Sequence, residues 1–114
     1  MQDDTTTVSE LKARMANFVN ERDWERFHQP KNLVMSIAIE AAELMEHFQW
    51  ETPELDPERK AAVGEELADV LAYVLSLANV LELDLSAISA AKMEKNAAKY
   101  PAERERGKET WETR

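Results

Sequence analysis

From Pro57 to about Glu82 the chain carries its apolar residues at helical spacing, and Gly64 is the only potential breaker in that run. Only 4 Pro and 2 Gly occur in 114 residues, and the prolines fall between periodic segments rather than inside them. This pattern predicts an all-α chain with no need of strands. Thr7-Val-Ser-Glu10 has capping-box spacing, so a first helix is expected from Val8 to about Asp23, with Leu11, Met15, Phe18 and Val19 on its apolar stripe. "WERFHQPKN" breaks it, and a second helix should run from just after Pro30 to about Gln49 with Leu33, Ile37, Ala41, Leu44 and Phe48 facing inward. "ETPELDP" links it to the third, for which Asp56 is a good N-cap and Pro57 a good first residue. Asp84 or Ser86 can open a fourth helix, which ends near Tyr100 because Pro101 cannot continue it. The expected architecture is a four-helix, bundle-like domain over residues 1–101. The charged segment 102–114 reads as a frayed tail, in which Trp111 alone speaks for docking on a neighbour.

Composition narrows the function classes. A net charge of -9, from 14 Lys+Arg against 23 Asp+Glu, argues against a nucleic-acid binder held by a broad basic face. It leaves room for a small phosphorylated ligand, because divalent cations between carboxylates and phosphates reverse the local sign of charge. Without cysteine, disulfides and thiolate metal sites are impossible. The opening "MQDDTTTVSE" is too acidic and polar for a signal peptide, and no apolar run approaches the ~18 residues that span a bilayer, so no membrane partner and a cytoplasmic location are expected.

Two helices carry carboxylates where apolar residues belong. Glu40 and Glu43 share a face with Ser36 and His47 at the edge of the Ile37/Leu44 stripe, and Glu66 and Asp69 align with Val70, Tyr73 and Leu77. If the two helices pack antiparallel, all four acids meet, and such a cluster repels itself unless hard divalent cations relieve it. Solvated surface acids are the bland alternative, adequate for one pair but less so for two. A di-iron carboxylate bundle would need Glu-x-x-His on two helices, and no histidine stands three residues after Glu40, Glu43, Glu46, Glu65 or Glu66. All-oxygen ligation points to Mg²⁺, with Mn²⁺ possible. Spacing alone does not separate Glu66/Asp69 from Glu65/Asp69.

"ERDWERFHQPKNL", the E-x-x-E of Glu40/Glu43, "HFQW", "EELADVLAYVL" and "KMEKNAAKYP", in this order, resemble the MazG-like, all-alpha nucleoside triphosphate pyrophosphohydrolases, within them the dCTP pyrophosphatase branch. The likeness covers roughly residues 8 to 101. It implies a Mg²⁺-dependent hydrolase that cuts between the α- and β-phosphates of a nucleotide, releasing monophosphate and pyrophosphate. Its metal ligands would fall on Glu40, Glu43, Glu66 and Asp69, while the proton acceptor stays open between Glu65 and a ligating carboxylate. It also implies a homo-oligomer, either a dimer or a tetramer built as a dimer of dimers. A helical nucleotide- or partner-binding module without turnover is the alternative.

A nucleobase needs stacking surface and edge hydrogen bonds. Trp24, Trp50 and Tyr73 can supply the first and Asn96 the second, and the resemblance carries the same four over as pocket positions. Tyr73 and Trp50 are equally readable as core residues. Lys92, Lys95, Asn96 and Lys99 form a basic stripe on the fourth helix, in which Lys92 is the candidate for the outer phosphates and His28 a further candidate contact. One position departs from the pattern. Vertebrate dCTP pyrophosphatases carry a base-contacting histidine nine residues before the "RDW" tryptophan, where this chain has Met15, whose thioether can pack on a base but cannot donate a hydrogen bond to it.

Overall fold

A computed structural model describes residues 1–108, and every regular element among them is helical. In order these are α1 (Val8–Glu21), a 3-10 turn (Glu25–Phe27), α2 (Pro30–Glu46), α3 (Pro57–Leu81), α4 (Leu85–Lys99) and α5 (Ala102–Glu105). They fall into two compact units, Met1–Leu83 and Asp84–Arg114. The four long helices stand where the periodicity places them.

Their N-termini are fixed by local chemistry. Both arms of the capping box form, the Glu10 N–H donating to Thr7 Oγ1 at 3.1 Å and the Thr7 N–H to Glu10 Oε2 at 3.3 Å. Asp56 accepts from the Arg59 N–H at 2.8 Å and Asp84 from the Ala87 N–H at 2.9 Å. Each such cap is worth about 1 kcal/mol. The C-termini deviate more from expectation. α1 stops at Glu21 because Asp23 takes a left-handed conformation, φ 54°, that turns the chain into the 3-10 segment. α2 stops at Glu46 rather than Gln49: His47 and Phe48 donate to the carbonyls three residues back, a tightening that ends the helix.

In the first unit α1 and α2 both pack on α3, burying Val19, Leu33, Leu75 and Ala78. The Lys12 ammonium donates to the Leu83 carbonyl at 2.6 Å, and Asn79 Nδ2 donates to the Lys12 carbonyl at 2.9 Å, tying α1 to the C-terminal part of α3. Phe18 and Phe48, expected inward, are 42% and 41% exposed. Phe18 instead meets Trp24 edge-on at 5.7 Å and lies under the Arg22 guanidinium at 3.7 Å. A single facing helix covers only part of the α1 stripe. Leu33, 1% exposed, is the best-enclosed side chain of this small core. Leu33→Ala is therefore expected to cost about 2–5 kcal/mol in urea unfolding, and a loss below about 1 kcal/mol would contradict its central placement.

In the second unit α4 ends at Lys99, with Tyr100 as its C-cap residue immediately before Pro101. Where a frayed tail was expected, Ala102–Glu105 makes one helical turn, supported by a Lys108–Glu105 ion pair at 2.8 Å. Trp111 lies outside the described residues. No single helix among the described residues is long and apolar enough to cross a membrane.

Candidate metal centre

Glu40 and Glu43 sit one turn apart on α2, and the packing of α2 on α3 brings Glu66 against them. One carboxylate oxygen from each of the three lies within 4.8 Å of the others. Glu40 and Glu66 are half-buried, and each has one oxygen, Oε2, that is sealed from solvent without a hydrogen-bond partner. A buried, unpaired carboxylate oxygen is costly, so the arrangement calls for a cation.

The electrostatics agree. Burial pushes the Glu40 carboxyl above its ordinary range, and a hydrogen bond and repulsion from Glu43, then the charges of Asp69 and Glu66, push it the same way. Glu66 is raised first by burial and then by Glu43 and Asp69, with His47 acting in the opposite direction. Glu43 is thus the acid that loads both neighbours. Asp69, expected on the inward stripe, is exposed and is not one of the three converging carboxylates, although its charge acts on Glu40 and Glu66. The donor set is all oxygen, which suits a hard divalent cation such as Mg²⁺ or Mn²⁺.

A cleft of about 730 Å³ opens over this group, lined among others by Glu43, Glu46, His47, Arg59 and Glu66. Arg59 was not singled out from the sequence. Its signal was available, since Arg59 and Glu66 are seven residues apart on α3 and share a face.

The pocket candidates are dispersed. Tyr73 is half-buried on α3, two turns beyond Glu66 on the same face. Trp24 is 42% and Trp50 88% exposed, and neither lines the carboxylate cleft. His28 is half-buried and lines a different cavity, between α1 and α3. Lys92 and Asn96 are exposed on α4, in the second unit.

Comparison with known proteins places this geometry in context. The human dCTP pyrophosphatase 1 is 42% identical over 102 residues, 84% of this chain and 60% of the relative. The bovine dCTP pyrophosphatase 1 is 39% identical over 107 residues, 89% of this chain and 63% of the relative. The chain therefore spans less than two thirds of the length of these curated relatives. A crystal structure of a pyrophosphatase from Archaeoglobus fulgidus DSM 4304 superposes with a TM-score of 0.75 at 43% identity, covering 89% of this chain and 98% of that one. The model of the MazG-like family matches residues 35–113, a stretch that holds all four acids. With more than half its length matched in this way, the chain belongs to the MazG-like family.

Proposed function

We propose that the chain is a Mg²⁺-dependent nucleoside triphosphate pyrophosphohydrolase that converts dCTP, or a modified dCTP, to the monophosphate and pyrophosphate. The observation that carries this is the convergence of Glu40, Glu43 and Glu66 with two buried, unpartnered carboxylate oxygens, in a chain similar to dCTP pyrophosphatases along most of its length. Glu40, Glu43, Glu66 and Asp69 would hold Mg²⁺, for which Mn²⁺ can substitute. A divalent cation held there would supply neutralisation of phosphate charge and a lowered pKa for the attacking water. Glu65 or one of the ligating carboxylates takes up the proton of that water. Trp24, Trp50 and Tyr73 give the base a stacking surface, Asn96 reads its edge, Lys92 and Arg59 offer positive charge to the outer phosphates, and His28 is a further contact.

The same reading includes self-association, as a dimer or a dimer of dimers. Val34, Met35, Ile39 and Met45 on α2, with Leu67 and Leu71 on α3, are all exposed, more apolar surface than a lone small domain ordinarily shows to water. Sedimentation should give a mass of two or four chains; a monomer at micromolar concentration would refute this part.

A panel of nucleotides with Mg²⁺ tests the activity. The expected products, formed in one step, are monophosphate and pyrophosphate, and chelation of the metal should stop their release. A diphosphate with orthophosphate as first products would contradict the proposed bond cleavage, and no turnover at all would leave the silent binding module.

A further inference from the structure

The face of α3 that carries Glu66 differs in charge on its two sides. Towards the C-terminus it continues with Asp69 and Tyr73, an acid and a phenol. Towards the N-terminus it continues with Ala62 and Arg59, four and seven residues before Glu66, and both line the cleft of about 730 Å³ that opens over the carboxylates. Seven residues cover about 10 Å of helix axis. Between the acid and the arginine, Ala62 offers only a methyl group, so the floor of the cleft stays open there.

Arg59 is held in place with its charge unspent. Its main-chain N–H donates to the Asp56 carboxylate at 2.8 Å, which fixes the backbone in the first turn of α3. The residue is half-buried, and Glu43, Glu46, Asp56, Glu58 and Glu66 line the same cleft, yet among the described residues its guanidinium forms no ion pair and no hydrogen bond. Its planar fork of N–H donors, which matches phosphate oxygens bidentately, is therefore unengaged. Among the described residues it is also the one arginine or lysine in that lining.

A nucleotide whose α-phosphate sits at the carboxylates can extend its outer phosphates in either direction along α3. One direction leads to Asp69, which repels them, and the other across Ala62 to Arg59, which attracts them. Hydrolysis sharpens the difference. As the water oxygen bonds to the α-phosphorus, the bond from that phosphorus to the bridging oxygen breaks, its electron pair stays on the pyrophosphate, and the water proton passes to a carboxylate. The leaving group thus gains charge of the kind a guanidinium stabilises.

We propose that the outer phosphates run towards the start of α3 and that Arg59 binds the leaving pyrophosphate, so that this residue sets both the preference for triphosphates over diphosphates and the strength of product inhibition by pyrophosphate. This rests on the function proposed above.

The test is inhibition of dCTP hydrolysis by inorganic pyrophosphate and, separately, by dCMP, together with the melting shift that pyrophosphate and Mg²⁺ produce, for the unaltered protein, Arg59→Leu, Arg59→Lys and Ala62→Leu. Arg59→Leu should raise the inhibition constant of pyrophosphate about tenfold or more and shrink its melting shift, while that of dCMP stays within about twofold, because the monophosphate does not reach Arg59. The preference for dCTP over dCDP, read from kcat/KM, should narrow with it. Arg59→Lys keeps the charge but not the fork and should recover part of the loss. Ala62→Leu, which fills the floor without altering any charge, should weaken pyrophosphate as well. If Arg59 is only a solvated side chain, Arg59→Leu and Ala62→Leu will both leave pyrophosphate inhibition within about twofold of the parent, and that overturns the proposal. Equal weakening of pyrophosphate and dCMP overturns it too, since it traces to damage at the carboxylate cluster. If the unaltered protein hydrolyses no nucleotide, the proposed function falls, and the melting shifts alone then decide: equal stabilisation of parent and Arg59→Leu by pyrophosphate with Mg²⁺ overturns the role of Arg59.

Discussion

Glu43→Gln is expected to lower kcat at least ~100-fold while leaving the helical content unchanged. Glu43 contributes an oxygen to the three-carboxylate group and is the neighbour that acts most strongly on both Glu40 and Glu66 after burial itself. The amide is nearly isosteric but uncharged, so a cation held at this point loses one of its anionic ligands. A factor of 100 corresponds to about 2.7 kcal/mol of transition-state stabilisation, within the several kcal/mol that a metal ion contributes to phosphoryl chemistry. The same substitution removes repulsion from a half-buried acidic cluster, so in chelator the variant should melt at the same temperature as the parent or higher. It should also gain less from added Mg²⁺, since stabilisation by a ligand follows its affinity. Asp69→Asn should likewise abolish turnover, through the acid at the exposed side of the group. Full activity in both variants, measured as pyrophosphate release, would remove the metal-site assignment. Loss of activity together with loss of helical circular dichroism would trace the effect to folding instead.

What could be read from the chain alone was whatever depends on neighbours in sequence. The caps at Thr7, Asp56 and Asp84 are short-range hydrogen bonds and form as their spacing requires. That Glu40 and Glu43 of α2 meet acids of α3 could be read because both helices carry acids beside apolar stripes that must face a partner, whereas Glu66 rather than Glu65 followed only from the family resemblance. Interhelical geometry was less visible. Periodicity puts Phe18 and Phe48 with the apolar residues, but α3 covers only part of the α1 stripe and α2 stops before Phe48, and both aromatics stay substantially exposed. The same stripe reasoning aims Asp69 inward, whereas it is exposed. Arg59 and His47 come to the cleft because the end of α2 lies near the start of α3, which follows from how the intervening segment folds back. The cavity at Ser76 depends on where α1 crosses α3, and no local pattern in "YVLSLANVL" announces it.

Among nucleotides, deoxycytidine triphosphates are expected to be hydrolysed in preference to purine triphosphates, but with looser discrimination against other pyrimidines than in relatives that carry a histidine at the Met15 position. Trp24 and Trp50 expose much of their surface, and stacking on an indole tolerates any base because every base has a π-face. Discrimination is therefore expected from edge hydrogen bonds, for which Asn96 is the proposed reader. Met15 is half-buried on α1, and its thioether can pack against a ring but cannot donate to one. The absence of one such bond is worth roughly 1–3 kcal/mol, or on the order of 10- to 100-fold in relative specificity. Met15→His should recover part of that factor between dCTP and dTTP, with the metal requirement unaltered. Competition assays with mixed dNTPs measure both effects. A clear purine preference in the parent chain would show that the base pocket has been reassigned, even if Glu43 and Asp69 remain essential to the phosphate chemistry.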